Sequence, residues 1–167
     1  MDNLSASWRD ASIAHVTLRR GASAPDSAAL WPDANRFSES ASLLLANVAP
    51  NAALAIGAVN DAHWFEMLQT RLSNTAIVTD QSSAYRILRL NGAPTRELLA
   101  SGVFIDLDPS VFSAGAAQAL RCGHIAVILL HRTEGAFEIL VPRSYVDSFL
   151  HWLKASVAMR NLTLTGI

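Results

Sequence analysis

The chain has 167 residues, 51% of them apolar and 16% charged, enough for one domain or two small halves sharing a core and rich in apolar side chains for a soluble monomer. A surface facing another subunit accounts for such a surplus. The formal net charge is −1 with Lys154 the only lysine, so no basic stripe exists to meet phosphates and a nucleic-acid partner is not expected.

Cys122 is the only cysteine, which leaves no intrachain disulfide and no Cys-pair zinc motif, a pattern that fits a reducing cytoplasm. The most apolar window, residues 43–59, is broken by Asn47, Pro50, Asn51 and Gly57 and is shorter than the roughly 20 residues a membrane helix needs. The N-terminal text MDNLSASWRDAS has no apolar h-region, so neither a secretory signal nor a membrane span is expected, and the expected location is cytoplasmic.

Residues 1–12 are polar and mixed, and residues 13–18 (IAHVTL) read as a first strand or an extended arm. Residues 21–35, rich in Gly, Ala, Ser, Pro and Asp, read as a loop with Trp31 as an anchor, either to a partner or to its own core. Residues 38–47 (SESASLLLAN) predict a short helix stopped before Pro50. Residues 52–57 and 63–68 read as two strands with Asn60 and Asp61 in the turn, and residues 71–74 as a connector at a subdomain boundary.

Residues 76–153 carry the densest pattern. Alternation predicts a strand over residues 85–90, and Pro94 at the first turn with Gly102 just past the end brackets a short helix. Its Leu98 and Leu99 should face a sheet, with Arg96 and Glu97 wetter. Asp106 to Phe112 reads as a turn around Pro109. Residues 116–122, 125–132 and 136–141 read as strands joined by tight turns, hence antiparallel. Ser144 looks like an N-cap, with Asp147 in the first turn of a last helix carrying Val146, Phe149, Leu150, Leu153 and Val157 at helical spacing. Residues 161–167 read as a frayed tail.

This order predicts an α+β fold, mostly antiparallel sheets with helices on one face and ferredoxin-like split βαβ elements. The expected division is an N-terminal α+β subdomain with a loop-rich arm, residues 1–75, and a ferredoxin-like α+β subdomain, residues 76–167, forming one compact unit.

The search for chemistry finds little. His63, His124, His131 and His151 lack metal or catalytic spacing. Ser82, Ser83 and Ser144 have no nucleophile elbow around them, Cys122 lies in an apolar strand where a thiolate is disfavoured, and no Gly-rich phosphate loop is present. The arginines stand out instead. Arg86 and Arg89, three apart on one strand, point to opposite faces, and with Arg132, Arg143 and Trp31 they are the candidate interface residues. Exposed ion pairs are the alternative reading.

At these residues the chain resembles the gamma subunit family of heterotetrameric sarcosine oxidase. The resemblance rests on Asp80 with Ser82-Ser83, Leu88-Arg89-Leu90-Asn91-Gly92, Asp106-Leu107-Asp108-Pro109 with Phe112 and Gly115, Leu130-His131-Arg132, and Arg143-Ser144-Tyr145, in the family's order and spacing. Gly57 and Trp64 match an earlier family segment with extra residues between them. The resemblance implies a fold similar to part of the folate-binding aminomethyltransferase architecture. It also implies a cytoplasmic complex with alpha, beta and delta subunits, which hold FAD, FMN, NAD, zinc and tetrahydrofolate. That complex converts sarcosine to glycine with formaldehyde, or methylenetetrahydrofolate, and hydrogen peroxide. The gamma chain itself is implied to lack a catalytic site, a cofactor and a metal. A stand-alone folate-binding or aminomethyl-transfer protein is the rival, with Asp80, Asp106 and Glu138 as the carboxylates to hold a pterin. A subunit of a related flavin-dependent N-methyl amino acid oxidase is the other.

Overall fold

The computed structural model describes residues 3–23, 31–58 and 62–167. In chain order the elements are β1 (Asn3–Arg9), β2 (Ser12–Leu18), β3 (Phe37–Glu39), β4 (Leu44–Ala49), β5 (Ala52–Gly57), α1 (Ala62–Leu72), β6 (Ala76–Asp80), β7 (Tyr85–Asn91), α2 (Thr95–Ala100), β8 (Ala117–Cys122), β9 (Ile125–Thr133), β10 (Ala136–Pro142), α3 (Val146–Met159) and β11 (Thr163–Thr165). They fall into two units: Met1–Arg9 with Tyr85–Ile167, and Asp10–Ala84.

The first unit is a six-stranded sheet in the order β11-β1-β7-β10-β9-β8. Every neighbouring pair is antiparallel except β1 with β11. Because side chains alternate across a strand, Leu88 and Leu90 of β7, Phe137, Ile139 and Val141 of β10, and Val127 and Leu129 of β9 share one face. They form a core with Leu98 and Leu99 of α2 and with Phe149, Leu153 and Val157 of α3, whose spacing of four places them in one helical stripe. Each such burial stabilises by roughly 1.5–3 kcal/mol.

The second unit is a five-stranded sheet in the order β3-β4-β5-β2-β6. Trp64 and Leu68 of α1 bury onto Ala14, Val16, Ala53, Ala55, Ala76 and Val78. β5 and β6 both run antiparallel to β2, so β5-α1-β6 is a split βαβ connection with β2 between its strands. In the first unit β10-α3-β11 is a wider version, spanning β7 and β1.

Several expectations are corrected. Residues 38–47 form parts of β3 and β4 rather than a helix: Leu44, Leu45 and Ala46 are all buried, and a strand buried on both faces loses its alternation. Residues 63–68 belong to helix α1, not a strand, because Trp64, Leu68 and Leu72 recur every fourth residue onto one core. Residues 3–9 form β1, its Leu4 and Ala6 facing the core, and residues 163–165 pair with it as β11 rather than fraying. Asn60 and Asp61, read as a turn, and residues 24–30 of the loop read over 21–35 lie outside the described residues. The chain passes between the units after Arg9 and again after Ala84, not at 75 and 76, since β1 pairs with β7 and β6 with β2.

Candidate functional site

On the sheet face opposite α2 and α3, Glu138 lies between the core residues Phe137 and Ile139 and so points the other way. It is only 3% exposed. Register sets it beside Arg89 of β7. Arg89 donates Nε–H to Oε1 at 2.8 Å, and Arg9 of β1 forks onto the same carboxylate, Nε to Oε1 at 3.1 Å and Nη2 to Oε2 at 2.9 Å. Burial alone would raise the Glu138 pKa. The hydrogen bonds from Arg9 and Arg89, with the charges of Arg9 and Arg132, outweigh burial and hold it below the ordinary carboxylate value. Arg9 was missed at the sequence level; the alternation of Leu4 and Ala6 was its signal, since it placed Arg9 on the opposite face.

Arg86, three residues before Arg89, lies on the core side of β7 with its guanidinium 4.9 Å from the centroid of Trp8. Strand parity therefore separates these two arginines. Arg132 is half-buried near the end of β9. Arg143 is exposed, in a 3₁₀ turn Arg143–Tyr145 that follows β10. Ser144 sits inside that turn instead of capping α3, which begins at Val146 with no side-chain cap; Asp147 is in its first turn. Trp31 is half-buried against the core of the second unit and lines a cleft of about 550 Å³ with Leu18, Asn35, Asn47 and Asn51.

A second polar cluster organises the connection from α2 to β8. Arg96, expected to be wet, is largely buried. Its guanidinium donates to the carbonyl oxygens of Leu107 and Phe112, to His131 Nε2 at 3.2 Å and to Glu134 at 3.2 Å. His131 is 2% exposed, stacked on Phe137 with centroids 4.5 Å apart. Its Nδ1 is 2.9 Å from the Phe112 carbonyl, which only accepts, so the proton belongs on Nδ1 and Nε2 accepts from Arg96. This histidine is a structural tie between β9 and the loop.

The glycines and prolines of the motifs serve geometry. Gly92 has φ of 139°, where a Cβ would overlap the Asn3 carbonyl oxygen. Pro94 stands at the N-cap of α2, one residue before its first turn, and Gly102 follows the C-cap Ser101. Pro109 lies in the loop after Asp108, whose carboxylate accepts from the backbone N–H and hydroxyl of Ser110. Asp80 similarly accepts from the N–H of Ser82, and Asp106 from that of Asp108. Cys122 is buried, and burial pushes its thiol up to about 12. Among the described residues no group of three His, Cys, Asp or Glu side chains is placed to hold a metal ion.

A model of the sarcosine oxidase, gamma subunit family matches residues 38–159. The chain belongs to that family. Among solved structures it is similar to a chain of the heterotetrameric sarcosine oxidase from Corynebacterium sp. U-96 in complex with pyrrole 2-carboxylate, with TM-score 0.75 and 21% identity over 92% of this chain and 84% of that one. It is also similar to the glycine cleavage system aminomethyltransferase T from Bartonella henselae, with TM-score 0.69 and 15% identity. That match covers 98% of this chain and 48% of the other, so the chain spans about half the aminomethyltransferase. Both likenesses share the α+β fold with mostly antiparallel sheets. No curated protein sequence matches.

The gamma-family segments now have physical meanings. Leu88 and Leu90 enter the core while Arg89 between them turns to Glu138, and Gly92 makes the tight approach to β1. Leu107 and Phe112 anchor the loop from inside, and Gly115, at φ of 84°, turns it into β8.

Proposed function

We propose that this gamma-family chain is the non-catalytic structural subunit of a heterotetrameric sarcosine oxidase-type complex, associating with alpha, beta and delta chains. In this reading the complex is cytoplasmic and oxidatively demethylates sarcosine to glycine, giving hydrogen peroxide with formaldehyde or methylenetetrahydrofolate. FAD, FMN, NAD, zinc and tetrahydrofolate belong to the other chains. The observation that carries the proposal is the family match over residues 38–159. The arginines Arg86, Arg89, Arg132 and Arg143, with Trp31, remain the candidate contacts.

The rival, a stand-alone folate protein, would need a carboxylate turned to a pterin. Of the three candidates, Glu138 is buried and neutralised by Arg9 and Arg89, while Asp80 and Asp106 are exposed and each accepts a backbone N–H of its own turn. The test is co-expression with the alpha, beta and delta chains followed by size exclusion with light scattering. A stoichiometric four-chain species turning over sarcosine is expected, and a chain that stays outside the assembly overturns the reading. Turnover of another N-methylated amino acid in preference to sarcosine would shift it to a related oxidase. Micromolar binding of tetrahydrofolate to the isolated chain, measured by calorimetry, would favour the rival.

A further inference from the structure

The loop between α2 and β8 is pinned from within and carries two exposed large apolar side chains on a mostly polar exterior. Val103, Leu107, Phe112 and Ala116 are buried in the core of the first unit. The Arg96 guanidinium holds the carbonyls of Leu107 and Phe112, and two successive aspartate turns, Asp106 to Asp108 and Asp108 to Ser110, fix the chain between them. From this frame Phe104 projects with 85% of its surface exposed and Val111 with 64%. Their exposure therefore comes from a defined backbone and not from a loose one. Holding two large apolar side chains in water forgoes the gain that burying them would bring.

Between Phe104 and Val111 stand the exposed carboxylates of Asp106 and Asp108, while the cation nearest in the hydrogen-bond network, Arg96, is turned inward onto backbone carbonyls, His131 and Glu134. The exposed side chains of the loop thus combine two large apolar groups with two carboxylates. Rigid aromatic anchors lose little entropy on association, and complementary charge at the rim steers it.

We propose that the 103–116 loop is a docking surface of this chain, with Phe104 and Val111 as anchors entering an apolar cleft on a larger chain of the complex whose rim carries arginine or lysine. This inference rests on the reading of the chain as a subunit of that complex, and it names where the contact is made.

The experiment uses the full chain co-expressed with its alpha, beta and delta chains. The double variant Phe104→Ser/Val111→Ser should weaken association about 100-fold, the size of a lost anchor cluster. Met159→Ser, at a methionine 82% exposed at the end of α3, should change it less than about twofold. Asp106→Asn/Asp108→Asn keeps the side-chain oxygens that accept the turn hydrogen bonds but removes the charge. It should lower the association rate about tenfold at low salt and flatten its salt dependence. Thermal midpoints of all variants should stay near that of the parent chain. If the parent chain fails to assemble, the subunit reading itself fails. If the parent assembles and the double variant assembles equally well, only the docking surface is overturned. A parent chain that forms dimers in isolation which the double variant abolishes also overturns it, because the surface then serves a second copy.

Discussion

A carboxylate that loses its water is stable only if donors replace the water, and Glu138 has three N–H donors from two arginines. Replacing it by Gln removes the charge while leaving Arg9 and Arg89 facing each other, so Glu138→Gln should cost about 2 kcal/mol at pH 7, the lower side for a broken buried pair because Arg89 is 50% exposed. The sign with pH follows from the direction of the shift. With a native pKa below the unfolded value of about 4.3, the stabilisation is complete above that value and is lost as pH falls through the native one. Urea unfolding of both proteins should therefore give a gap at pH 7 that closes progressively below about pH 4; an equal gap at both ends would remove this account. The sequence could not reveal this partnership. Arg89 and Arg9 lie 49 and 129 residues from Glu138, and nothing local distinguishes a paired carboxylate from one left open for a ligand.

At the scale of elements, each unit seats a helix by laying a tryptophan on glycine. In the second unit the Trp64 indole of α1 occupies the space a Cβ of Gly57 would take, and in the first the Trp152 indole of α3 fills that space at both Gly102 and Gly123. Gly102 does not need a left-handed backbone, since its φ is not positive; it is there because the ring is. Gly102→Ala should then destabilise by about 1–3 kcal/mol through overpacking, and most of that cost should vanish in a Trp152→Leu background, as a double-mutant cycle of thermal or urea unfolding would record. A cost unchanged by the Trp152 substitution would point to the backbone instead. The breaker at Gly102 was readable, its cause was not. The same limit explains the elements misread: Leu43–Leu45 looks helical because β4 buries Leu44 and Leu45 in succession, and the 64, 68, 72 spacing of α1 was masked because the aromatic pair Trp64-Phe65 reads as strand. Strand β7 was legible from its alternation, and β9 and β10 from apolar runs bounded by tight turns.

Chain order and spatial order part company in the whole molecule. β1 begins the sequence but belongs to the unit made by residues 85–167, where it is sandwiched between β7 and β11, and residues 10–84 intervene before the chain returns. A boundary read along the sequence assigns β1 to the wrong side, because composition cannot report that Arg9 lies opposite Ile87. The arrangement makes a test that a simple two-part chain would fail. Deleting residues 1–9 strips β7 of one neighbour and β11 of its only one, and it removes Leu4 and Ala6 from the core shared with α3. Hydrogen exchange should consequently show protection falling at least about tenfold in β7 and β11, more than 70 residues from the cut, a loss of about 1.4 kcal/mol or more in local opening energy. β2, which starts only three residues after the cut, should lose less, since its partners β5 and β6 are intact. The reverse order, with β2 and β5 exchanging first, would mean that the first nine residues support their sequence neighbours rather than the six-stranded sheet.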